Sequence, residues 1–249
     1  MLKYSKNKSY FDQYGFCVIN SFFNRTELKN LDKKIKSFVQ KKTKLLKGKN
    51  INFAKNKTIN TLHDVDKFEK YFKKFALKKK NLDLASFFLD STPQFRKCEI
   101  FAKPAKVGLP APPHQDNYLW AIDNNNGITF WIALEESNKN NGGLFFIRSS
   151  HKSGLLKHEN SYMPGTSQKI PKKLLKKKKF LRKFTPNLKP GDMLVHHCLV
   201  IHGSNANKSN KSRRGFTVQY KDKESKYDKK LLSNYKKNLV KQLKARNQI

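Results

Sequence analysis

The sequence predicts a mainly β fold with α: a sandwich or jelly roll of short strands, buttressed on one side by N-terminal helices. Three observations predict it. Apolar residues at helical spacing dominate the first 94 residues and return only in the tail. From about residue 95 the texture changes to short apolar runs with turn signals between them, among them Asn141-Gly142-Gly143. The 19 Phe, 9 Tyr and 2 Trp supply bulky core material although only 37% of residues are hydrophobic.

Phe16 to Ile19 reads as a short apolar strand. The chain then turns into a helix near Arg25, with Leu28, Leu31, Ile35 and Phe38 on one face and Asn24 as its N-cap. Residues 41–60 are polar and lysine-rich and read as a loop. Residues 65–90 read as one or two helices, through Phe68, Tyr71, Phe72 and Phe75 and then Leu82 to Leu89. Strands follow in "FRKCEIFAKP", which stops at Pro104, then in "PPHQDNYLWAI", "GITFWIALEE", "NNGGLFFIRSS", "GDMLVHHCLVIHG" and "RGFTVQYK". The run "KIPKKLLKKKKFLRKF", 169–184, is the densest basic stretch and reads as a solvated insertion loop. From Asp228 a cationic helix carries Leu232, Tyr235, Leu239 and Leu243 as a narrow apolar stripe, expected to dock on the domain. The organisation expected is one domain over 1–249: a mostly helical part (1–94), a strand core (95–221) with the basic insertion, and a basic C-terminal helix (222–249).

The formal net charge is +36. Strong positive charge favours nucleic acid, anionic surfaces and acidic ligands. Yet only seven of the 54 basic residues are arginine, the lysines are spread along the whole length, and they form no stripe interleaved with aromatics. Genome composition accounts for that pattern more economically than a selected polyanion partner, and a nucleic-acid-binding protein is kept as the alternative. Cys17, Cys98 and Cys198 are far apart with no CxxC pair, which argues against a disulfide framework and fits a reducing cytosol. No apolar run approaches the roughly 20 residues of a membrane span, and no h-region follows the basic N-terminus. The expectation is a cytoplasmic protein; its oligomeric state is not legible.

Within "PPHQDNYLW", His114 and Asp116 stand at strand spacing, which aims an imidazole and a carboxylate at one point. A third ligand is needed. His63 and His158 lie in polar, irregular surroundings and read as surface residues, while one of His196 and His197 reads as a core or supporting histidine. His202 ends its strand just before Gly203, where side chains at a barrel mouth converge. Two histidines and one aspartate with open positions are the facial triad of non-haem Fe(II) oxygenases; a zinc site with an open position uses similar ligands. The usual co-substrate, 2-oxoglutarate, needs a cationic fork for its far carboxylate, and arginine suits that better than lysine. Arg213 and Arg214 therefore stand out, with Ser204 as a hydroxyl donor.

"PPHQDNYLW", "GITFWIALEESNKNNGGLFFIRSSHKSGLLKH" and "GDMLVHHCLVIHGSNANKSNKSRRGFTVQY" resemble the phytanoyl-CoA dioxygenase family of Fe(II)/2-oxoglutarate-dependent oxygenases, and "FDQYGFCVINSFFNRTELKNL" resembles its opening strand and helix. The resemblance covers about 10 to 221 and is weakest over 41–90 and the insertion. It implies a double-stranded β-helix (jelly roll, cupin-like) with N-terminal helices. It further implies metal ligands at His114, Asp116 and His202, a 2-oxoglutarate site at Arg213 and Ser204, and Trp131 lining that site. Alternation along the strand that points Arg213 inward would point Arg214 out. With Asp116 present, the implied reaction is hydroxylation of an unactivated C–H bond by O₂, releasing succinate and CO₂. Asn117, Tyr118 and Trp120 are expected near the open metal positions as substrate contacts. The substrate expected is a small molecule, which the basic surface favours as an anion.

Overall fold

The computed structural model describes residues 2–249. Helix α1 (Ser5–Tyr14) ends at Gly15, whose φ of +84° favours glycine and where a Cβ would stand 2.6 Å from the His151 ring, and leads into β1 (Phe16–Ile19). Helix α2 (Arg25–Lys42) starts with a full capping box: the Glu27 N–H donates to the Asn24 side chain, and the Asn24 N–H donates back to the Glu27 carboxylate. Next come β2 (Ile51–Phe53), β3 (Ile59–Leu62), α3 (Lys70–Ala76), α4 (Lys79–Leu89) and β4 (Pro93–Phe101). Then β5 (Ala111–His114), α5 (Asp116–Trp120), β6 (Gly127–Ala133), β7 (Leu144–Ile147), β8 (Glu159–Met163) and β9 (Thr166–Lys169) follow. The chain closes with α6 (Lys172–Leu175), β10 (Lys183–Phe184), β11 (Met193–His197), β12 (His202–Ser204), β13 (Gly215–Asp222) and α7 (Lys229–Ala245).

All pairings are antiparallel. A seven-stranded sheet runs β1-β11-β6-β13-β4-β3-β2, and a four-stranded sheet runs β10-β7-β12-β5. The two sheets form the expected jelly roll. On the outer face of the large sheet, Leu31, Ile35 and Phe38 of α2, Phe72 and Phe75 of α3, and Leu84 and Phe88 of α4 pack against Ile100, Phe130, Val195, Phe216 and Val218. That is the helical buttress. Between the sheets lie Phe16, Trp131, Phe146 and Leu194 at one end, and polar side chains at the other. Burying apolar side chains on both faces lets β6 be buried at every position.

Several local expectations change. The first 94 residues hold three strands as well as helices, because β2 and β3 extend the large sheet beyond β4; the 41–60 stretch is therefore only partly loop. "PPHQDNYLWAI" is not one strand: it stops at His114, and Asp116 opens α5. "GDMLVHHCLVIHG" divides between sheets, β11 pairing with β6 and β12 with β5 and β7. The 169–184 run is no solvated loop throughout. Its basic residues face outward while Ile170 and Phe180 are buried with Ile147 and Ile201. The tail helix docks as expected, with Gln242 and Leu243 buried. The three cysteines are free and buried. Among the described residues no helix is long and apolar enough to cross a membrane.

Candidate active site

The site is a cavity of about 360 Å³ between the sheets, the size class that holds metabolites. Three elements bring its polar centre together. β5 and β12 pair with His114 opposite His202, and the turn after β5 brings Asp116 back at the start of α5. The ligand atoms of the three side chains lie within 4.8 Å of one another. Asp116 Oδ1 is 3.8 Å from Nε2 of His114 and 3.8 Å from Nε2 of His202.

Hydrogen bonds decide which ring atoms face inward. His114 Nδ1 lies 2.8 Å from the Pro112 carbonyl, and His202 Nδ1 lies 3.1 Å from that of Val200. A carbonyl only accepts, so each Nδ1 carries the proton and each Nε2 turns a lone pair toward Asp116. Thr129 Oγ1 donates to Asp116 Oδ2 at 2.9 Å and fixes the carboxylate. Burial, then the neighbouring His202, lowers the His114 pKa to about 4; burial, then His196, does the same for His202. Burial raises Asp116, but His202, His196, His114 and the Thr129 bond outweigh it and hold the carboxyl below its ordinary value. At neutral pH the group is two neutral imidazoles and one carboxylate, the protonation state that a divalent cation requires. Hard carboxylate and borderline imidazole donors with oriented second nitrogens fit Fe(II) or a similar ion.

Gln115, between two of these residues, is fully buried and points away from them. Its side chain donates to the Gly154 and Leu199 carbonyls and accepts the Leu156 N–H. Strand alternation is thus replaced by an extended residue pinned between a strand end and a helix start, with the same convergence.

The other side of the cavity is cationic. Arg213 is buried just before β13; its Nε and Nη2 donate to the Gly142 carbonyl at 3.2 and 3.0 Å, while Nη1 has no partner among the described residues. The guanidinium lies 5.3 Å over the Trp131 ring. A Cβ at Gly215 would stand 2.0 Å from Trp131, so only glycine lets the indole lie there. Lys103 Nζ donates to Ser204 Oγ at 2.7 Å and to the Asn205 carbonyl. Burial, then the Arg213 charge, brings the Lys103 pKa down to about 6, and burial brings Arg213 to about 9. A buried guanidinium with an orphaned N–H, beside an amine that an arriving anion would charge, is a receptor for a carboxylate. Arg214 points outward, as expected, and binds Asp32 and Glu135.

Trp131, Ser204 and Arg213 all line the cavity, as does Trp120, over which Arg96 sits at 4.8 Å. Asn117 and Tyr118 do not. The first turn of α5 carries Asn117 inward to bond the Ile122 backbone and Asn125, and sets Tyr118 against His158 with ring centroids 4.3 Å apart. His158 is not a surface residue: it is buried and its Nε2 accepts the Gln115 N–H. Nor is His63, whose Nδ1 meets the buried Glu99 carboxylate in the cavity wall, beside Lys97. Of the two adjacent histidines, His196 is the one that faces the group: its buried Nδ1 lies 4.0 Å from Asp116 Oδ2, without a hydrogen-bond partner among the described residues. Sequence reading missed Lys103, Glu99 and His63. No signal marks one lysine among so many, although Lys103 does stand two residues past the end of β4, immediately before Pro104.

The phytanoyl-CoA dioxygenase (PhyH) family model matches residues 11–215. The phytanoyl-CoA dioxygenase of Arabidopsis thaliana is 30% identical over 204 residues, which is 80% of this chain and 67% of that protein. Among solved structures, the epimerase SnoN in complex with Fe³⁺, alpha ketoglutarate and nogalamycin RO superposes with a TM-score of 0.73 at 16% identity, over 91% of this chain and 86% of its own. EctD from S. alaskensis with 2-oxoglutarate and 5-hydroxyectoine gives 0.72 at 20% identity, over 88% and 76%. At those identities the structures establish the fold, and the family model and the Arabidopsis relative establish descent: the chain belongs to the phytanoyl-CoA dioxygenase family, whose members are enzymes that use Fe(II), 2-oxoglutarate and O₂.

Proposed function

We propose that this chain, acting as a single catalytic domain over 1–249, hydroxylates an unactivated C–H bond of a small anionic metabolite. The observation that supports the reading is the pairing, in one cavity, of the His114/Asp116/His202 group with a buried Arg213 whose Nη1 lacks a partner. Fe(II) at the three ligands, with 2-oxoglutarate and O₂, supplies the oxidising power for hydroxylation and yields succinate and CO₂. The chain's own residues do the rest. The Pro112 and Val200 carbonyls hold the imidazoles in the ligating tautomer, and Thr129 holds the carboxylate. Arg213, Ser204 and Lys103 bind the far carboxylate of 2-oxoglutarate against the face of Trp131, which fixes the register of the co-substrate and keeps water off its apolar stem. Lys49, Lys67, Lys97 and Lys236 on the cavity outnumber Asp64 and Glu99, which favours an anionic substrate.

Family membership does not favour a polyanion-binding or zinc-only protein, and a zinc-only site would leave the buried Nη1 of Arg213 without a ligand. Three free, buried thiols support a reducing location, the cytoplasm; localisation of the tagged chain to an oxidising compartment would overturn that.

The test is anaerobic addition of Fe(II), then 2-oxoglutarate, to purified apoprotein, reading the weak visible charge-transfer band of the chelate. We expect a band in the wild type and none in His202→Ala or Arg213→Ala at the same 2-oxoglutarate concentration. Metal bound without a band in the wild type would sink the reading.

A further inference from the structure

The family match ends at residue 215, but the cavity wall continues past it. Helix α7 and its C-cap supply one side: Leu232, Tyr235, Lys236, Leu239 and, just past the helix, Arg246 all line the cavity. Steps of three, one, three and seven residues keep them on one stripe, about 21 Å long at 1.5 Å per residue. The helix is fixed at both ends. At its start the Asp228 side chain accepts the Leu231 N–H, and the Asp228 N–H donates to the Ala121 carbonyl just after α5. α5 in turn carries Asp116, Leu119 and Trp120. Toward its other end the buried Gln242 accepts the Tyr162 N–H of β8 and donates to Asn160.

The apolar stripe does two different things along its length. Leu243 is buried and serves as a docking contact, whereas Leu232, Tyr235 and Leu239 stay partly open, toward the cavity. Apolar surface left open beside a metal-facing wall is surface that a ligand can cover. At the outer end Arg246 donates through Nε to the Gln242 carbonyl, while its Nη1 is shielded from solvent without a partner among the described residues. Gly48 packs there against Gln248 and Ile249, and Lys49 lines the cavity next to it.

We propose that α7 is the substrate-selecting wall of the active site. Leu232, Tyr235 and Leu239 contact the apolar body of the substrate, and Arg246 with Lys49 takes its anionic group at the end remote from the metal ligands. The proposal rests on the oxygenase reading for what is done to the substrate, and on α7, its C-cap Arg246 and Lys49 for what is admitted.

The test uses protein loaded anaerobically with Fe(II) and 2-oxoglutarate, so that the co-substrate subsite is filled, and calorimetric titration with decanoate and with its neutral counterpart decanamide. Wild type is expected to prefer decanoate by about tenfold, the worth of one charge-assisted hydrogen bond. Arg246→Gln should reduce that preference several-fold, and Arg246→Gln/Lys49→Gln should remove it, with decanamide binding unchanged in both. Leu232→Asn/Leu239→Asn should weaken both ligands by about tenfold or more. The charge-transfer band should be unchanged in every variant, which shows that the site is folded and loaded. Equal titrations across wild type and variants, absence of binding to all of them included, would overturn the role of α7. Loss of the band in the wild type would instead overturn the oxygenase reading, and the two failures are read on separate instruments.

Discussion

The two sides of the cavity are built by different means. On the metal side, every chemically important group sits on or beside a sheet strand, is buried, and is oriented by a hydrogen bond: His114 and His202 by carbonyls, Asp116 by Thr129. On the substrate side the wall is a helix outside the family match, with half-open leucines and cations held only by their own backbone or by nothing. Strand-borne groups give fixed geometry for a reaction that does not vary. A docked helix can change its contact residues without disturbing the sheets.

The largest test of that contrast is removal of a ligand. His114→Ala or Asp116→Ala should abolish 2-oxoglutarate-dependent succinate formation, by on the order of a thousandfold or more, and release the metal, as read by metal content after desalting. If either variant kept both metal and turnover, the strand side would not be the catalytic side. Next in size is Arg213→Lys. Loss of the planar fork should raise the 2-oxoglutarate concentration needed for the band by about tenfold to a hundredfold, with metal still bound. Wild-type affinity would remove Arg213 from the carboxylate site.

A smaller effect separates Lys103 from the many surface lysines. Its pKa of about 6 leaves it neutral in the ligand-free protein above that pH. An arriving carboxylate favours the charged amine, so binding takes up a proton and 2-oxoglutarate affinity should fall as pH rises from 6 to 8, by at most about tenfold per unit. Titration in buffers of different ionisation enthalpy reads the proton directly, and Lys103→Met should flatten the profile. If the wild type shows no proton uptake, Lys103 is not at the carboxylate. Smallest is Tyr118→Leu, which should cost stability of about 1 kcal/mol from the His158 stack and leave band intensity and decanoate binding alone. A tenfold change in decanoate binding would return Tyr118 to the substrate wall.

These regions also differ in how far the sequence discloses them. The triad is legible because two histidines and an aspartate are conspicuous among short apolar strands, and Arg213 because arginine is rare in this chain. Even there, His114 and Asp116 converge through a strand-to-helix turn rather than through alternation, since Gln115 buries its amide among three backbone groups. Lys103 is one lysine among 47, and neither Glu99 nor His63 has a recognisable partner near it in the sequence. His63 and Glu99 meet because β3 and β4 lie side by side in the sheet, and Lys103 reaches Ser204 across the cavity, neither of which a local pattern records. The polar 41–60 stretch reads as loop for the same reason: one face of its strand looks into a polar cavity. α7 is visible as a helix and as a docked one, but not as a wall, because periodicity reports which face is apolar and not what that face meets.

The partners that orient His114 and His202 are the main-chain carbonyls of Pro112 and Val200. A main-chain oxygen is present whatever side chain the position carries, so substitution at 112 or 200 leaves the acceptor in place wherever the backbone keeps its course. The ligand tautomers are in that sense insured against mutational drift. A lineage whose codons slide toward lysine and asparagine can rewrite most of its surface, and much of its sequence identity, while the imidazoles keep facing the same point.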